Sequence, residues 1–391
     1  MKALVNGRVL LDEGFHDDVV VLVDGTRIAA VVPRDDARAR NAGEIHDLRG
    51  NVLLPGFIDV QVNGGGGVLF NDAPTVETIR RIGAAHRRFG TTGFLPTLIS
   101  DDVEKMRAAI GAVDAAIDAG VPGVLGVHLE GPYIAPARRG AHDAAKFRLP
   151  DADEIDLVCS LRNGRTVLTL APDRVSPELV RAFVDRGVIV CLGHSDASYE
   201  QARAALDAGA RGFTHLYNAM SPLQGRAPGM VGAALEDRDS WCGLIVDGHH
   251  AHPASLRVAL AAKPRGKLLL VTDAMPPVGA DESDFVLAGK RITTRNGRCE
   301  TDDGVLAGSA LDMAGAVRNT VAMLGVPLDE AARMAAAHAA EFLRIAPSHG
   351  RIAAGHVADL VELDDTLNAQ RSWIGGEVLG PLGFEPRTKG L

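Results

Sequence analysis

Residues 166–216 read TVLTLAPDRVSPELVRAFVDRGVIVCLGHSDASYEQARAALDAGARGFTHL. Three apolar runs stand out in this stretch: Thr166–Leu170, Val188–Leu192 and Gly212–Leu216. Strands buried on both faces read as continuous apolar runs rather than as alternation. Between them lie Pro177–Asp185 and Tyr199–Ala208, whose apolar residues recur at helical spacing. The unit strand, helix, strand therefore repeats here. Upstream, Gly56–Val62, Gly93–Ile99 and Gly123–Leu129 are further strand candidates, with helical patterns at Thr75–Phe89 and Asp102–Ala119. Downstream come Gly243–Val246, a helix at Pro253–Ala262, and Leu268–Thr272. Eight such strands in roughly 290 residues predict a (β/α)₈ barrel rather than an open sheet.

The chain ends have a different rhythm. Lys2–Leu11 holds Asn6-Gly7, and Asp24-Gly25 separates Val19–Val23 from Ile28–Val32. Both pairs are hairpin signals between β-formers. Leu48–Leu54 adds a strand. Beyond the last barrel strand, Val278–Leu306 reads as a hairpin insertion. Helices are expected at Ser309–Leu324 and Leu328–Leu343, and β-patterning returns at Arg351–Leu363 and Ser372–Val378. The expected organisation is a small β-sandwich domain built from both chain ends, 1–53 plus 347–380. A catalytic barrel fills 54–346, and a mobile tail follows at 381–391.

Composition narrows the function. The 391 residues carry 41 Lys and Arg against 50 Asp and Glu, a net charge of −9, so generic nucleic-acid binding is disfavoured. Hydrophobic residues make up 46% and charged residues 23%, which excludes disorder as the dominant state. Cys159, Cys191, Cys242 and Cys299 lie far apart without a CxxC pair, so neither a zinc ribbon nor a disulfide framework is expected. No apolar run reaches the ~18 residues that cross a bilayer. Met1–Val5 meets Asn6-Gly7-Arg8 at once, without a signal-peptide apolar region, and a cytoplasmic location is expected.

In a barrel of this kind the site lies at the C-terminal ends of the strands. Those ends are rich in histidine. Six of thirteen histidines (His128, His194, His215, His249, His250, His252) end or follow a strand. Glu130, His194 and His215 come from three strands and converge on one rim. Two imidazoles and a carboxylate suit one divalent metal with an open position. Asp273 ends the last strand and can face that metal, as a carboxylate that deprotonates an activated water must.

Several longer runs carry a resemblance. They are Pro55–Gly64, His128-Leu129-Glu130-Gly131-Pro132, Gly193–Ala197, Thr214-His215-Leu216-Tyr217-Asn218-Ala219-Met220, Asp247–His250 and Val271–Ala274. Gly308–Leu311 and Gly350–Leu360 continue them. Over about residues 1 to 380 the chain resembles the amidohydrolase superfamily, and within it the family of N-acetylglucosamine-6-phosphate deacetylases.

The resemblance implies a metal held by Glu130, His194 and His215, with Asp273 as general base and then acid. It places His142 against the sugar, and His250 near the scissile carbonyl or the phosphate side. Asn218 and Ala219 become donors to phosphate. Arg226 becomes an arginine that reaches the neighbouring subunit's substrate, which implies a homodimer. The expected cofactor is one divalent ion per subunit, Zn²⁺ foremost, with Fe²⁺, Co²⁺ or Mn²⁺ as alternatives. Many superfamily members carry His-x-His at the end of strand one. Here Gln61 and Asn63 stand there, vestigial positions for a second metal, because amides ligate zinc poorly beside imidazoles. Strand four ends Leu170-Ala171-Pro172-Asp173, without a lysine to bridge two metals.

The implied reaction is hydrolysis of the acetamide of N-acetyl-D-glucosamine 6-phosphate to D-glucosamine 6-phosphate and acetate. The alternative is N-acetylgalactosamine 6-phosphate or another N-acyl amino sugar. A catalytically dead scaffold is disfavoured, because ligands and base are all present. A peptide hydrolase is disfavoured by Asn218, Arg226 and His250. Gly64–Gly67 is expected to be a permissive turn rather than a phosphate loop, lacking the Gly-Lys-Ser/Thr ending. His249 and His252 are expected to line or cap the rim, and Arg138-Arg139 is either a solvated pair or an anion guide. Asp59 is expected to support a neighbour rather than bind metal. His16, His46, His86, His338, His349 and His356 lie off the rim and are expected to be structural or on the surface.

Overall fold

The computed structural model describes residues 1–281 and 283–379. Its centre is an eight-stranded parallel sheet. The strands run Phe57–Val62, Thr91–Ile99, Gly126–Glu130, Arg165–Leu170, Ile189–Leu192, Gly212–Phe213, Trp241–Leu244 and Leu268–Leu270, each paired with the next. The sheet closes at its rim. Val62 bridges Ala274 in parallel, and the Asp273 N–H donates to the Gln61 carbonyl at 3.0 Å. A helix follows every strand, from Val76–Arg87 after the first to Met313–Leu324 after the eighth. This is the expected (β/α)₈ barrel.

Local chemistry starts these helices. Thr75, Asp151 and Asp312 cap theirs through side-chain oxygens, and Ser198 forms a capping box with Gln201. Strands one to three are buried at every position, which is why they read as unbroken apolar runs.

Both chain ends join one sheet. In order its strands are Glu377–Leu379, Ala369–Ile374, Leu360–Leu363, Val52–Pro55, Arg8–Leu11 and Gly14–His16. A second sheet, Arg27–Pro33, Val19–Asp24, Lys2–Val5 and Glu44–Asp47, packs against it. Leu4, Val21 and Ile28 of the second share a core with Val9, Leu53, Leu360 and Trp373 of the first.

Four expectations need correction. Asp24-Gly25 does make a hairpin, with Asp24 opposite Arg27. Asn6-Gly7 does not: Lys2–Val5 and Arg8–Leu11 lie in different sheets, and only Asn6 of the pair has positive φ. A tight hairpin of that type needs both residues there. A Cβ on Gly7 would lie 2.4 Å from Leu48, so this glycine serves close packing. Leu328–Leu343 is two helices, Leu328–Ala335 and Ala337–Phe342, broken at Ala336. After the break the carbonyls of Glu341, Phe342 and Leu343 accept from Arg211 and Arg165 beneath the barrel. Periodicity does not register a one-residue break. Of Arg351–Leu363, only Leu360–Leu363 forms a strand.

Val278–Leu306 holds more than one hairpin. Phe285–Leu287, Lys290–Arg295, Arg298–Thr301 and Leu306–Ser309 make a four-stranded antiparallel sheet at the mouth. Residues 381–391 lie outside the described residues. Among those described, no helix is long and apolar enough to cross a membrane.

Candidate active site

A cavity of about 360 Å³ opens at the C-terminal end of the barrel. Glu130, His142, His194, His215, Asn218, Ala219, His250, Asp273 and Asn63 all line it. The backbone at this rim is bent to bring them in. His194, His215, Tyr217, Ala219 and Asp273 all have positive φ. They are five of the eleven described non-glycine residues with that geometry, and strain of this kind gathers at functional sites. Gly193 makes room for His194. A Cβ there would sit 2.8 Å from Thr169 and 3.1 Å from Thr214 on the flanking strands.

The triad is tight. Glu130 Oε1 lies 3.2 Å from His194 Nε2 and 3.0 Å from His215 Nε2, and the two Nε2 atoms are 3.1 Å apart. His194 Nδ1 donates to the Arg138 carbonyl at 2.8 Å, which leaves Nε2 to face the other two atoms. A carboxylate oxygen and an imidazole nitrogen 3.2 Å apart repel unless a proton or a cation lies between them. Burial alone raises the pKa of Glu130, but hydrogen bonds from both histidines and their charge hold it well below the usual carboxylate range. Burial opposes the charged form of His215, and Glu130 outweighs that and raises its pKa. A proton thus favours the spot a cation would occupy. This buried Glu/His/His donor set fits one divalent metal ion.

Asp273 faces the triad. Its Oδ1 accepts from Asn63 Nδ2 at 2.6 Å and Gln61 Nε2 at 3.1 Å, and Gln61 Nε2 also donates to Glu130 Oε1 at 3.1 Å. The two amides therefore serve carboxylates with their hydrogens. Burial, then the charge of Glu130, pushes the Asp273 carboxyl up to about 6.

His142 is tied to Ser100. Its Nδ1 accepts from the Ser100 N–H at 3.4 Å and lies 2.8 Å from Ser100 Oγ, so Nε2 carries the hydrogen. Burial pushes its pKa down to about 3, so the ring is neutral. The Asn218 amide nitrogen donates to the carbonyls of His215 and Leu216 within its own turn. Arg226 is exposed, in the turn between Gln224 and Ala227, and does not line the cavity of its own chain.

Other expectations separate cleanly. His252 caps the helix Pro253–Ala262, and the ring of His249 contacts the Asn296 carbonyl at 3.1 Å. Arg138 lines the cavity, its side chain pairs with Asp196 at 2.7 Å, and its carbonyl orients His194. Asp59 accepts from Thr272 Oγ1 at 2.5 Å and supports strand eight. Sequence reasoning missed Ser100, Asp247 and the wall formed by Leu287, Val305 and Leu306. Ser100 directly follows strand two, and a single serine after an apolar run carries no signal of its own. Asp247 stands three residues before His250.

The fold and this donor set define a metal-dependent hydrolase of the barrel type. The chain belongs to the amidohydrolase family, whose model matches residues 52–379. It is 47% identical over 332 residues to the N-acetylgalactosamine-6-phosphate deacetylase of Shewanella sp. (strain ANA-3), covering 85% of this chain and 84% of that one. The N-acetylglucosamine-6-phosphate deacetylase of Pasteurella multocida superposes with a TM-score of 0.93 at 36% identity, covering 97% and 99% of the two chains. A variant of the Mycobacterium smegmatis N-acetyl-D-glucosamine-6-phosphate deacetylase, solved with N-acetyl-D-glucosamine-6-phosphate, gives 0.89 at 32% identity over 96% and 98%.

Proposed function

We propose that this chain hydrolyses the acetamide of N-acetyl-D-glucosamine 6-phosphate, releasing D-glucosamine 6-phosphate and acetate. One observation carries the reading: Glu130, His194 and His215 converge within 3.2 Å of one another while Asp273 faces them across the same cavity. Glu130 Oε1, His194 Nε2 and His215 Nε2 would hold the divalent ion, Zn²⁺ in this reading. Such an ion lends Lewis acidity to a carbonyl and lowers the pKa of a water molecule.

The chain's own groups do the rest. Asp273 takes a proton from the attacking water with its free Oδ2, since Oδ1 is held by Asn63 and Gln61. The new C–O bond forms as the carbonyl becomes tetrahedral. When the C–N bond breaks, Asp273 returns the proton to the departing amine. Burial and Glu130 raise this carboxyl above the ordinary range and a bound ion would lower it again, so near neutral pH it is ionised, as a base must be. His142, with hydrogen on Nε2, donates to an oxygen of the acetamide or sugar. Asn218, Ala219 and His250 line the side assigned to phosphate, and the partner subunit's Arg226 completes it in a homodimer. Phosphate binding then positions an otherwise unreactive amide. The four cysteines are unpaired, which suits a reducing cytoplasm.

The galacto epimer is the second reading, favoured by the relative at 47% identity. Acetate release from both 6-phosphates and from the unphosphorylated sugar tests the proposal, before chelation, after it, and after Zn²⁺ return. Metal-restored turnover of the gluco 6-phosphate above the other two supports the main reading. Preference for the galacto 6-phosphate moves the assignment to the epimer. No turnover of any sugar, with metal bound, overturns the substrate class.

A further inference from the structure

The run Asp247-Gly248-His249-His250 follows barrel strand seven. The Asp247 and His250 side chains are only 5% and 6% exposed. Asp247 Oδ2 lies 2.6 Å from His250 Nδ1. Asp247 Oδ1 accepts the backbone N–H of His249 at 2.8 Å and of His250 at 2.9 Å. Among the described residues, His250 is the only ion-pair partner Asp247 has. Burial raises the pKa of this carboxyl, and the hydrogen bond and charge of His250 outweigh that and lower it. An ionised carboxylate only accepts hydrogen bonds. The hydrogen therefore sits on Nδ1, and Nε2 is left for the cavity that His250 lines.

This is the reverse of His142, whose Nδ1 accepts from Ser100 and whose Nε2 carries the hydrogen. The cavity thus meets its ligand with two histidines of opposite polarity. His142 offers a fixed donor. His250 offers a lone pair, held toward the cavity by the carboxylate behind the ring.

We propose that Asp247 is a positioning residue acting through His250: it fixes the Nδ1–H tautomer, so that the ring meets the substrate with the Nε2 lone pair. The proposal rests on the phosphorylated-sugar reading for the identity of that substrate, but not for the tautomer.

The informative variant is Asp247→Asn. Asn Oδ1 still accepts the two backbone N–H groups, so the turn is kept. Asn Nδ2 now donates to His250 Nδ1, and the ring hydrogen moves to Nε2. In the metal-loaded protein labelled with ¹⁵N-histidine, the His250 signals, assigned by their loss in H250A, exchange their protonated and unprotonated nitrogens. KM for the phosphorylated sugar rises so that kcat/KM falls by about 10- to 100-fold, the range for partners that orient a functional histidine. In an H250A background the same change costs nothing further, because the two residues act as one unit. H249A, which removes the contact to Asn296 and leaves Asp247 in place, keeps the original tautomer. The proposal is overturned if His250 carries its hydrogen on Nε2 in the unmodified protein. It is also overturned if D247N costs as much without His250 as with it. The spectrum needs no substrate, so failure of the sugar reading and failure of the positioning role are seen separately.

Discussion

On one side of the barrel mouth Glu130, His194 and His215 aim a carboxylate oxygen and two imidazole nitrogens at one point. On the other side Gln61 and Asn63 aim amide hydrogens at Asp273. Both sides bury a carboxylate in the same low-dielectric pocket, and burying one without a partner is costly. Glu130 leaves a gap that something positive must fill. Asp273 has that positive end built in, as two amide dipoles. The difference lies in how each carboxylate is balanced. An ionised Asp273 accepts only, so the amide nitrogens face its Oδ1 with their hydrogens, and the Asn63 Oδ1 is left buried without a partner. Superfamily members with His-x-His at these positions present lone pairs instead.

Emptying the cation side is expected to have the largest effect. His194→Ala or His215→Ala removes one of three ligands and with it the charge stabilisation the ion supplies. Several kcal/mol of that stabilisation corresponds to a fall in turnover on the order of 10³-fold. Metal analysis of the purified variants should fall from about one ion per chain in step with acetate release. Turnover that survives with the metal gone would break the comparison, because both halves would then be serving carboxylates and neither a cation.

Asp273→Asn comes next. It keeps the three ligands and should keep the metal, while removing the group that moves the proton. The expected loss is about 10²- to 10⁴-fold. The sign of the pH effect follows from the ionised form being the base. Turnover rises as pH climbs through the carboxyl's pKa and is lost below it. Burial and Glu130 set that value at about 6 in the metal-free protein, and a cation nearby only lowers it. The acid limb of kcat/KM should therefore lie at or below about 6, and the Asn variant should lack it. An acid limb that persists in the Asn variant would assign the base elsewhere.

How much of this was legible before the structure divides along the same line. The barrel strands announced themselves because both faces are buried, as at Phe57–Val62 and Gly126–Glu130. The triad was legible because each member ends such a strand. The roles of Gln61 and Asn63 were only half legible. Their amides are poor ligands by composition, but that they turn nitrogen rather than oxygen toward Asp273 depends on strands one and eight meeting at the rim. Ser100 and Asp247 escaped because each acts through another residue, and nothing in a single side chain says whose tautomer it fixes. The break at Ala336 and the sheet change at Asn6-Gly7 escaped because tertiary packing decided them against local pattern.

The amide side is the subtler one to test, and Gln61→Leu does so with little change in volume. Gln61 Nε2 donates to Glu130 Oε1 and Asp273 Oδ1 at once. Leucine removes both bonds, while the three ligands remain and Asn63 still holds Asp273. Metal content should therefore hold at about one per chain. Losing a donor disfavours the ionised carboxylate, so the pKa of Asp273 moves up and the acid limb of kcat/KM moves to higher pH. Turnover at neutral pH should fall by about 10- to 100-fold, the cost of removing a group that orients a functional one. Asn63→Ala should move the limb the same way, since its bond to Oδ1 is the shorter at 2.6 Å. If neither variant moves the limb while metal content stays at one, the amides only fill space, and the base is set by burial and the neighbouring Glu130 alone. If the limb moves and a second ion also appears, then the amide dipoles both tuned the base and kept a second cation out.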